Sequence, residues 1–207
     1  MAIYQRSDVP FVDNLFTMNL DLASIFTANL STILLSGGTL TNPTFALSDG
    51  SNLTLQGTLT VSINAIANSW SASGTFTGLE RTTSGGQTIE TLSDVSISSS
   101  LGGTLFPEAI TSGTVPTFQD IFQGDNQLFG GSQNDTLLAI GRNDQLTGGG
   151  GDDQLYLGYQ SIAPAGSDTV DGGSGWNEAF FNDKSTAVTF GLVDRATTLT
   201  YSGGTDT

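Results

Sequence analysis

Short oxygen-bearing side chains recur at a fixed interval in the second half of the chain. They stand nine residues apart, at Asn126, Asp135, Asp144 and Asp153. Carboxylate and amide oxygens are the ligands that calcium prefers, whereas zinc and copper favour the His and Cys side chains that this chain lacks. The residue types and their spacing therefore predict a calcium-binding segment.

The elements that must position these oxygens are short strands with one inward-facing apolar residue each. A leucine follows each oxygen-bearing residue by two positions, at Leu128, Leu137, Leu146 and Leu155. After a slip of six residues the series resumes with Asp168 and Val170, and then with Asn177 and Ala179. A nine-residue unit cannot bury its one apolar side chain alone, so neighbouring units must stack and share a core.

Glycines cluster just upstream of the carboxylates, where the chain must turn. Glycine permits a turn with positive φ and lets backbone carbonyls approach a common point, to which the following Asp adds a carboxylate. The metal-site glycines that this pattern predicts are Gly130, Gly131, Gly148, Gly149, Gly151, Gly166, Gly172, Gly173 and Gly175.

The repeats are not uniform. Gln133 and Arg142 replace glycine at the fourth place of their units, and Arg142 puts a positive charge in a turn that should hold a cation. Asn126 and Asn177 bring a carbonyl oxygen but no charge, so they should bind more weakly than Asp. We expect about one to three occupied calcium sites.

The most complete unit is Gly148-Gly149-Gly150-Gly151-Asp152-Asp153-Gln154-Leu155-Tyr156. It resembles the repeat G-G-x-G-x-D-x-U-x of the RTX family, in which U is a large apolar residue. The resemblance implies a parallel β-roll with two nonapeptides per coil, and with each calcium ion held between turns of consecutive coils on one side. Residues eighteen apart then share an ion, Asp135 with Asp153 and, more weakly, Asn126 with Asp144.

A flexible Gly/Asp-rich linker without metal is the alternative interpretation of this segment. It accounts for the composition. It does not account for apolar residues that keep the same register on both sides of the insertion at 158–165, which should bulge as a loop.

The resemblance also implies a location. Proteins of the RTX family usually leave bacteria through a type I exporter that recognises an uncleaved C-terminal signal, so we expect a secreted, extracellular bacterial protein. Residues 1–10 lack the basic and apolar regions of a cleaved signal peptide, and no apolar run is long enough to cross a bilayer. Because repeat-like sequence continues to 203–207, we expect a fragment of a longer chain.

The charge balance narrows the class of partner. The chain of 207 residues has 20 acidic and 5 basic residues, with a net charge of -15. Nucleic acid and anionic membranes attract basic surfaces, so both are disfavoured, and a cation is the natural counter-charge. Disulfides are excluded because there is no Cys.

We expect an all-β chain with two domains, 1–115 and 116–207, separated near Pro107 and Pro116. From residue 44 onward apolar and polar residues alternate with a period of two, which is typical of antiparallel sheet. The first domain should therefore be β-rich, either sandwich-like or a solenoid.

Three further predictions concern segments towards the two ends of the chain. Residues 1–15 are predicted to be an irregular lead-in, and 21–34 a helix with Asp21 as its N-cap, although part of that segment also alternates like a strand. At the other end, 186–192 and 198–201 could form a hairpin that caps the roll.

The absence of His and Cys excludes Ser-His-Asp and Cys-His hydrolases and His-ligated zinc proteases. A carboxylate-pair glycosidase would have to use Glu80, Glu90, Asp94 or Glu108, but scattered acids on a sheet are more often solvated surface. We therefore expect no catalytic activity, and a calcium-dependent structural or adhesive module.

The alternative function is binding of carbohydrate or a cell-surface polymer by the first domain. Trp70, Phe76 and Tyr4 could form a platform for sugar rings, although their alternation with small residues favours core positions. Exposure of Trp70 would support the ligand-binding function, and its burial would favour a structural spacer.

Overall fold

The computed structural model describes residues 1–9, 22–105, 108–114, 118–122, 124–140, 143–157, 168–181 and 198–200. The strands are β1 (Ile3–Arg6), β2 (Gly38–Thr41), β3 (Thr44–Ala46), β4 (Asn52–Asn64), β5 (Ser69–Thr82), β6 (Thr88–Ser93), β7 (Ile97–Leu105), β8 (Glu108–Thr114), β9 (Gln127–Phe129), β10 (Thr136–Leu138), β11 (Gln145–Thr147), β12 (Gln154–Leu157), β13 (Thr169–Asp171), β14 (Glu178–Phe181) and β15 (Thr198–Thr200). The helices are α1 (Leu22–Ala28), α2 (Leu30–Ser36) and α3 (Phe118–Ile121).

The chain forms two compact units, Asn19–Ile121 and Met1–Met18 with Phe122–Thr207. In the first unit the two longest strands, β4 and β5, form an antiparallel pair that organises the sheet. β2 and β3 pair with β4, β6 and β7 pair with β5, and β8 pairs with β7, all antiparallel. The period of two therefore correctly predicted antiparallel sheet, and its sandwich-like or solenoid form stays a prediction.

Helices α1 and α2 of this unit lie where the sequence predicted a helix at 21–34. They are separated at Asn29, whose side-chain amide donates to the carbonyl oxygen of Ile25 at 2.8 Å. Phe26 is buried and packs edge-on against Phe45, with ring centroids 5.6 Å apart. The proposed N-cap, Asp21, lies outside the described residues.

A fully buried arginine fixes one end of the β5–β6 pair. Arg81 lies opposite Glu90, and its Nη1 donates to Glu90 Oε1 at 2.6 Å. Its Nη2 donates to Asp49 Oδ2 at 2.5 Å, and its Nε donates to Ser51 Oγ at 2.9 Å. Burial raises the pKa of the Asp49 carboxyl, but hydrogen bonds from Ser51 and the Arg81 charge outweigh it and lower that pKa overall.

The second unit contains parallel strands in two alternating sheets, as expected of a β-roll. β9, β11 and β13 pair in parallel, and β10, β12, β14 and β15 pair in parallel. Leu128 pairs with Leu146, and Leu137 with Leu155, so residues eighteen apart are neighbours as predicted. Across the insertion the register is kept, because Leu146 pairs with Val170.

The predicted core of the roll is confirmed. Leu128, Leu137 and Leu146 have no exposed surface, and Leu155 is 1 % exposed. Ala179 is buried too, and Val170 packs against the cluster that Ala179 forms with Leu157.

Two features differ from the sequence-based expectation, and a third stays a prediction. Residues 1–15 were expected to be irregular, which is wrong for β1, because that strand pairs in parallel with β9. β8 lies between Pro107 and Pro116, and the domain boundary expected there stays a prediction. Of the predicted capping hairpin, 186–192 lies outside the described residues, while β15 pairs in parallel with β14 and so continues that sheet.

None of the helices in the described part of the chain is long and apolar enough to cross a bilayer.

The Arg81 cluster yields a stability prediction. Glu90→Gln should lower the free energy of unfolding by about 3 kcal/mol, because removal of one partner leaves a buried guanidinium under-compensated. Urea unfolding followed by tryptophan fluorescence measures this loss, since Trp70 is buried in the same unit.

The matched control is Asp94→Asn, which removes the same charge at an exposed turn. Asp94 has φ 57°, a conformation that Asn also accepts, so stability should change by less than about 0.5 kcal/mol. Equal losses in the two variants would show that the buried ion pair contributes nothing specific.

Candidate metal centre

The oxygen-bearing residues of the repeats form two ladders, one leading into each sheet of the roll. Each ladder repeats one hydrogen bond, from a backbone N–H to the Oδ1 atom of the counterpart on the next coil. The distances are 2.9 Å for Asn126 to Asp144, 3.0 Å for Asp144 to Asp168, 2.8 Å for Asp135 to Asp153, and 3.0 Å for Asp153 to Asn177. The residues predicted to act in pairs, Asn126 with Asp144 and Asp135 with Asp153, are therefore joined by a hydrogen bond from the backbone of one to the side chain of the other.

These ladders carry charge into the interior. Asp135 and Asp144 are each 2 % exposed, Asp153 is 1 % exposed, and Asn126 is 3 % exposed. Removal of a carboxylate from water costs several kcal/mol unless a cation or several donors compensate it. Each stacked carboxylate therefore requires a cation or several hydrogen-bond donors.

Asp135 obtains positive charge from the chain itself. Its Oδ1 forms a buried ion pair with the guanidinium of Arg6. Its Oδ2 accepts the backbone N–H of Gly131 at 2.7 Å. Both oxygens of this carboxylate thus have partners.

Asp153 differs from Asp135 in this respect. Its Oδ1 accepts the Asp135 N–H, but its Oδ2 is buried and has no hydrogen-bond partner among the described residues. Burial raises the pKa of Asp153 to about 6, and the charges of Asp135 and Asp152 add to this shift, whereas the hydrogen bond from the Asp135 N–H and the charge of Arg6 oppose it. An oxygen in this condition is a ready cation ligand.

The glycine turns bring backbone carbonyls close to that oxygen. A Cβ atom added to Gly148 would overlap Asp153 Oδ2 and would lie 2.6 Å from the carbonyl oxygen of Gly172. Glycine has no Cβ, so it leaves room for both of these oxygens beside residue 148. The left-handed φ of 99° at Gly149 and 106° at Gly151 gives the turn its shape.

The remaining predicted site residues are distributed along the same turns. Gly130 and Gly131 precede Asp135, and Gly172, Gly173 and Gly175 precede Asn177; Gly173 and Gly175 also have positive φ. Asp168 lies on the first ladder, and Asn177 ends the described part of the second. Gly166 lies outside the described residues.

These residues suit calcium as the ion. Among the described residues no three acidic side chains converge on one point, so the ligands must include backbone carbonyls. Asp153 Oδ2 and the carbonyl oxygen of Gly172 are hard oxygen donors, and the first of them is buried without a partner. A set of carboxylate and carbonyl oxygens is the type that calcium binds.

The aromatic residues considered for a sugar platform are all buried. Trp70 is 3 % exposed, and Phe76 and Tyr4 have no exposed surface. The indole N–H of Trp70 points to the carbonyl oxygens of Thr104 and Ala109, at 3.2 and 3.3 Å. The platform is therefore wrong, because rings that pack in a core cannot stack on a sugar.

The sequence analysis missed Arg6, which pairs with Asp135 on the second ladder. It assigned residues 1–15 to an irregular lead-in. The signal that could have identified them is Tyr4, which follows Ala2 by two residues just as Leu128 follows Asn126.

Comparison with protein families gives one match. The model of the RTX calcium-binding nonapeptide repeat, which spans four copies, matches residues 122–139, 141–158 and 165–178. No curated protein and no solved structure matches the chain. The matched ranges contain both ladders, with their glycine turns and buried leucines. Residues 122–178 of this chain are therefore calcium-binding nonapeptide repeats of the RTX family.

Proposed function

We propose that the chain is a non-catalytic structural module of a secreted bacterial protein, and that binding of calcium at Asp153 is coupled to folding of its repeats. The observation that carries this proposal is the buried Asp153 Oδ2, which lacks a partner in the described structure and lies beside glycine turns. A divalent ion there would neutralise the carboxylate and join successive coils.

The coupling follows from the thin core of the roll. Each nonapeptide buries about one leucine, which contributes roughly 2 kcal/mol and does not offset the conformational entropy of nine ordered residues. Repulsion between stacked carboxylates adds to that cost. The free energy of calcium binding would therefore become free energy of folding.

This coupling supports a role outside the cell. Extracellular calcium modules bind at about 10⁻⁴–10⁻³ M, so such repeats would stay unfolded where calcium is scarce and fold where it is abundant. An unfolded chain is the form that an exporter can pass. The RTX repeats are typical of secreted bacterial proteins.

A structural or adhesive role is favoured over catalysis by how the candidate acids are used. Glu90 is committed to Arg81, and Glu80 accepts a hydrogen bond from Thr88 Oγ1 at 2.6 Å. Asp94 lies on an exposed turn. This arrangement of acids offers no pair for acid–base chemistry among these three residues.

Calcium titration of the full chain tests the proposal. The β-sheet signal in circular dichroism and the heat of binding should both rise, with half-saturation at roughly 10⁻⁴–10⁻³ M. Magnesium at the same concentration should not substitute, because it requires a smaller octahedral site. No spectral change and no heat up to millimolar calcium would contradict the proposal.

Asp153→Ala should weaken calcium binding at least about tenfold more than Asn177→Ala, a difference of about 1.4 kcal/mol. The two variants are matched, because each removes one ladder hydrogen bond to a backbone N–H. Only Asp153 also supplies a charged oxygen without a partner. Isothermal titration calorimetry measures both affinities.

A third variant controls for the loss of negative charge. Asp125→Asn removes an exposed acid and keeps an oxygen to accept from Asn143, so calcium affinity should hardly change. If Asp153→Ala and Asn177→Ala lose affinity equally, the assignment of Asp153 as the main ligand is wrong.

Acidification should stabilise the calcium-free chain between pH 7 and pH 5. The pKa of Asp153 is raised from 3.8 to about 6, so the folded state binds a proton that the unfolded state does not. Stability from this group is greatest below pH 3.8 and is lost as pH rises through 6, which amounts to about 1 kcal/mol between pH 5 and pH 7. The β-sheet signal in circular dichroism, recorded in a calcium chelator at pH 5 and pH 7, measures this gain in folding, and an equal pH dependence in Asp153→Asn would exclude this residue as the cause.

A further inference from the structure

We infer that residues Ala2–Asp8 form an additional half-coil at the start of the roll, and that the Arg6 guanidinium there takes the place that calcium takes at later coils. This inference rests on the proposed function. In this arrangement Asp135 pairs with Arg6, a cation that the chain supplies, and Asp153 binds the first calcium ion from solution.

The backbone of Ala2–Asp8 repeats the hydrogen bonds of the nonapeptides. The N–H of Gln127 donates to the carbonyl oxygen of Ala2 at 2.9 Å, as the N–H of Gln145 donates to that of Asn126 at 2.8 Å. The N–H of Ala2 donates to Asn126 Oδ1 at 3.3 Å, as the N–H of Asn126 donates to Asp144 Oδ1. Ala2 thus occupies the ladder position of an Asp.

The side chains keep the same register. Tyr4 pairs with Leu128, has no exposed surface, and stands two residues after the ladder position, where the nonapeptides have leucine. The turn continues too, since a Cβ on Gly131 would lie 2.7 Å from the carbonyl oxygen of Ser7, and a Cβ on Gly149 would overlap that of Gly131. The half-coil has neither the turn glycines nor an Asp at the ladder position, yet it stacks as a repeat does.

Arg6 stands where a repeat has its first glycine. It follows Ala2 by four residues, as Gly130 follows Asn126 and Gly148 follows Asp144. From this position its guanidinium reaches Asp135, and the two side chains are 2 % and 0 % exposed. A guanidinium carries a permanent charge and several donors, so it neutralises a buried carboxylate without an ion from solution.

The two carboxylates of the second ladder, Asp135 and Asp153, therefore differ in whether they still need a cation. Asp135 has a partner on each oxygen, whereas Asp153 Oδ2 has none in the described structure. If Arg6 is removed, Asp135 becomes a buried carboxylate with the same need as Asp153. A calcium ion should then bind there as well.

Calorimetry and chelator experiments on the full chain test this inference. Arg6→Gln should bind one more calcium ion per chain than the unmodified protein. At a calcium concentration below saturation its urea midpoint should lie below that of the unmodified chain, and saturating calcium should restore most of that loss. Arg6→Lys keeps the charge, so its ion number should equal that of the unmodified chain.

A second variant covers the case in which Arg6→Gln does not fold without calcium. Arg6→Gln combined with Asp135→Asn removes both charges, so the ion number should return to that of the unmodified chain. An unchanged ion number in Arg6→Gln, with a stability loss that calcium does not restore, would overturn the inference and leave calcium binding at Asp153 intact. If the unmodified chain binds no calcium, the proposed function itself fails.

Discussion

The roll depends on compensation of carboxylates that its own register buries. The nine-residue period places an Asp or Asn at the same point of every turn, and the ladder hydrogen bonds hold these side chains inside, at 1–3 % exposure for the four best-buried members. Backbone N–H groups satisfy one oxygen of each rung but carry no net charge. The rest of the compensation must therefore come from further donors or from a positive charge, supplied either by a side chain or from solution.

The chain itself supplies part of this compensation. Arg81 compensates Glu90 and Asp49 within the antiparallel unit, and Arg6 compensates Asp135 in the roll. Both arginines are built into the sequence, so the groups they neutralise are compensated at any calcium concentration. Asp153 forms no ion pair among the described residues, and the Arg6 charge only partly offsets the rise in its pKa that burial and the charges of Asp135 and Asp152 cause. Under the proposed function, calcium would act where the chain pairs no cation with the buried carboxylate.

The register of the roll could be predicted from sequence because a fixed interval of leucines survives an insertion, which only stacking explains. The antiparallel unit could be predicted as sheet because its strands alternate strictly. The half-coil of β1 was harder to predict, because the spacing of Tyr4 from Ala2 is its one repeat signal and it contains no glycine or Asp at repeat positions. The Arg81–Glu90 pair could not be predicted, since nothing local indicates which strands bring these residues together.

The most direct measurement is the electron density of a crystal grown with millimolar calcium. The central claim is that a buried carboxylate without an ion pair, Asp153, binds calcium. Anomalous scattering from such a crystal locates a calcium ion. The account predicts an ion at about 2.3–2.6 Å from Asp153 Oδ2, with backbone carbonyls of the glycine turns as further ligands. A folded roll in which that oxygen contacts only water or backbone N–H groups, with no ion along the ladder, would contradict it.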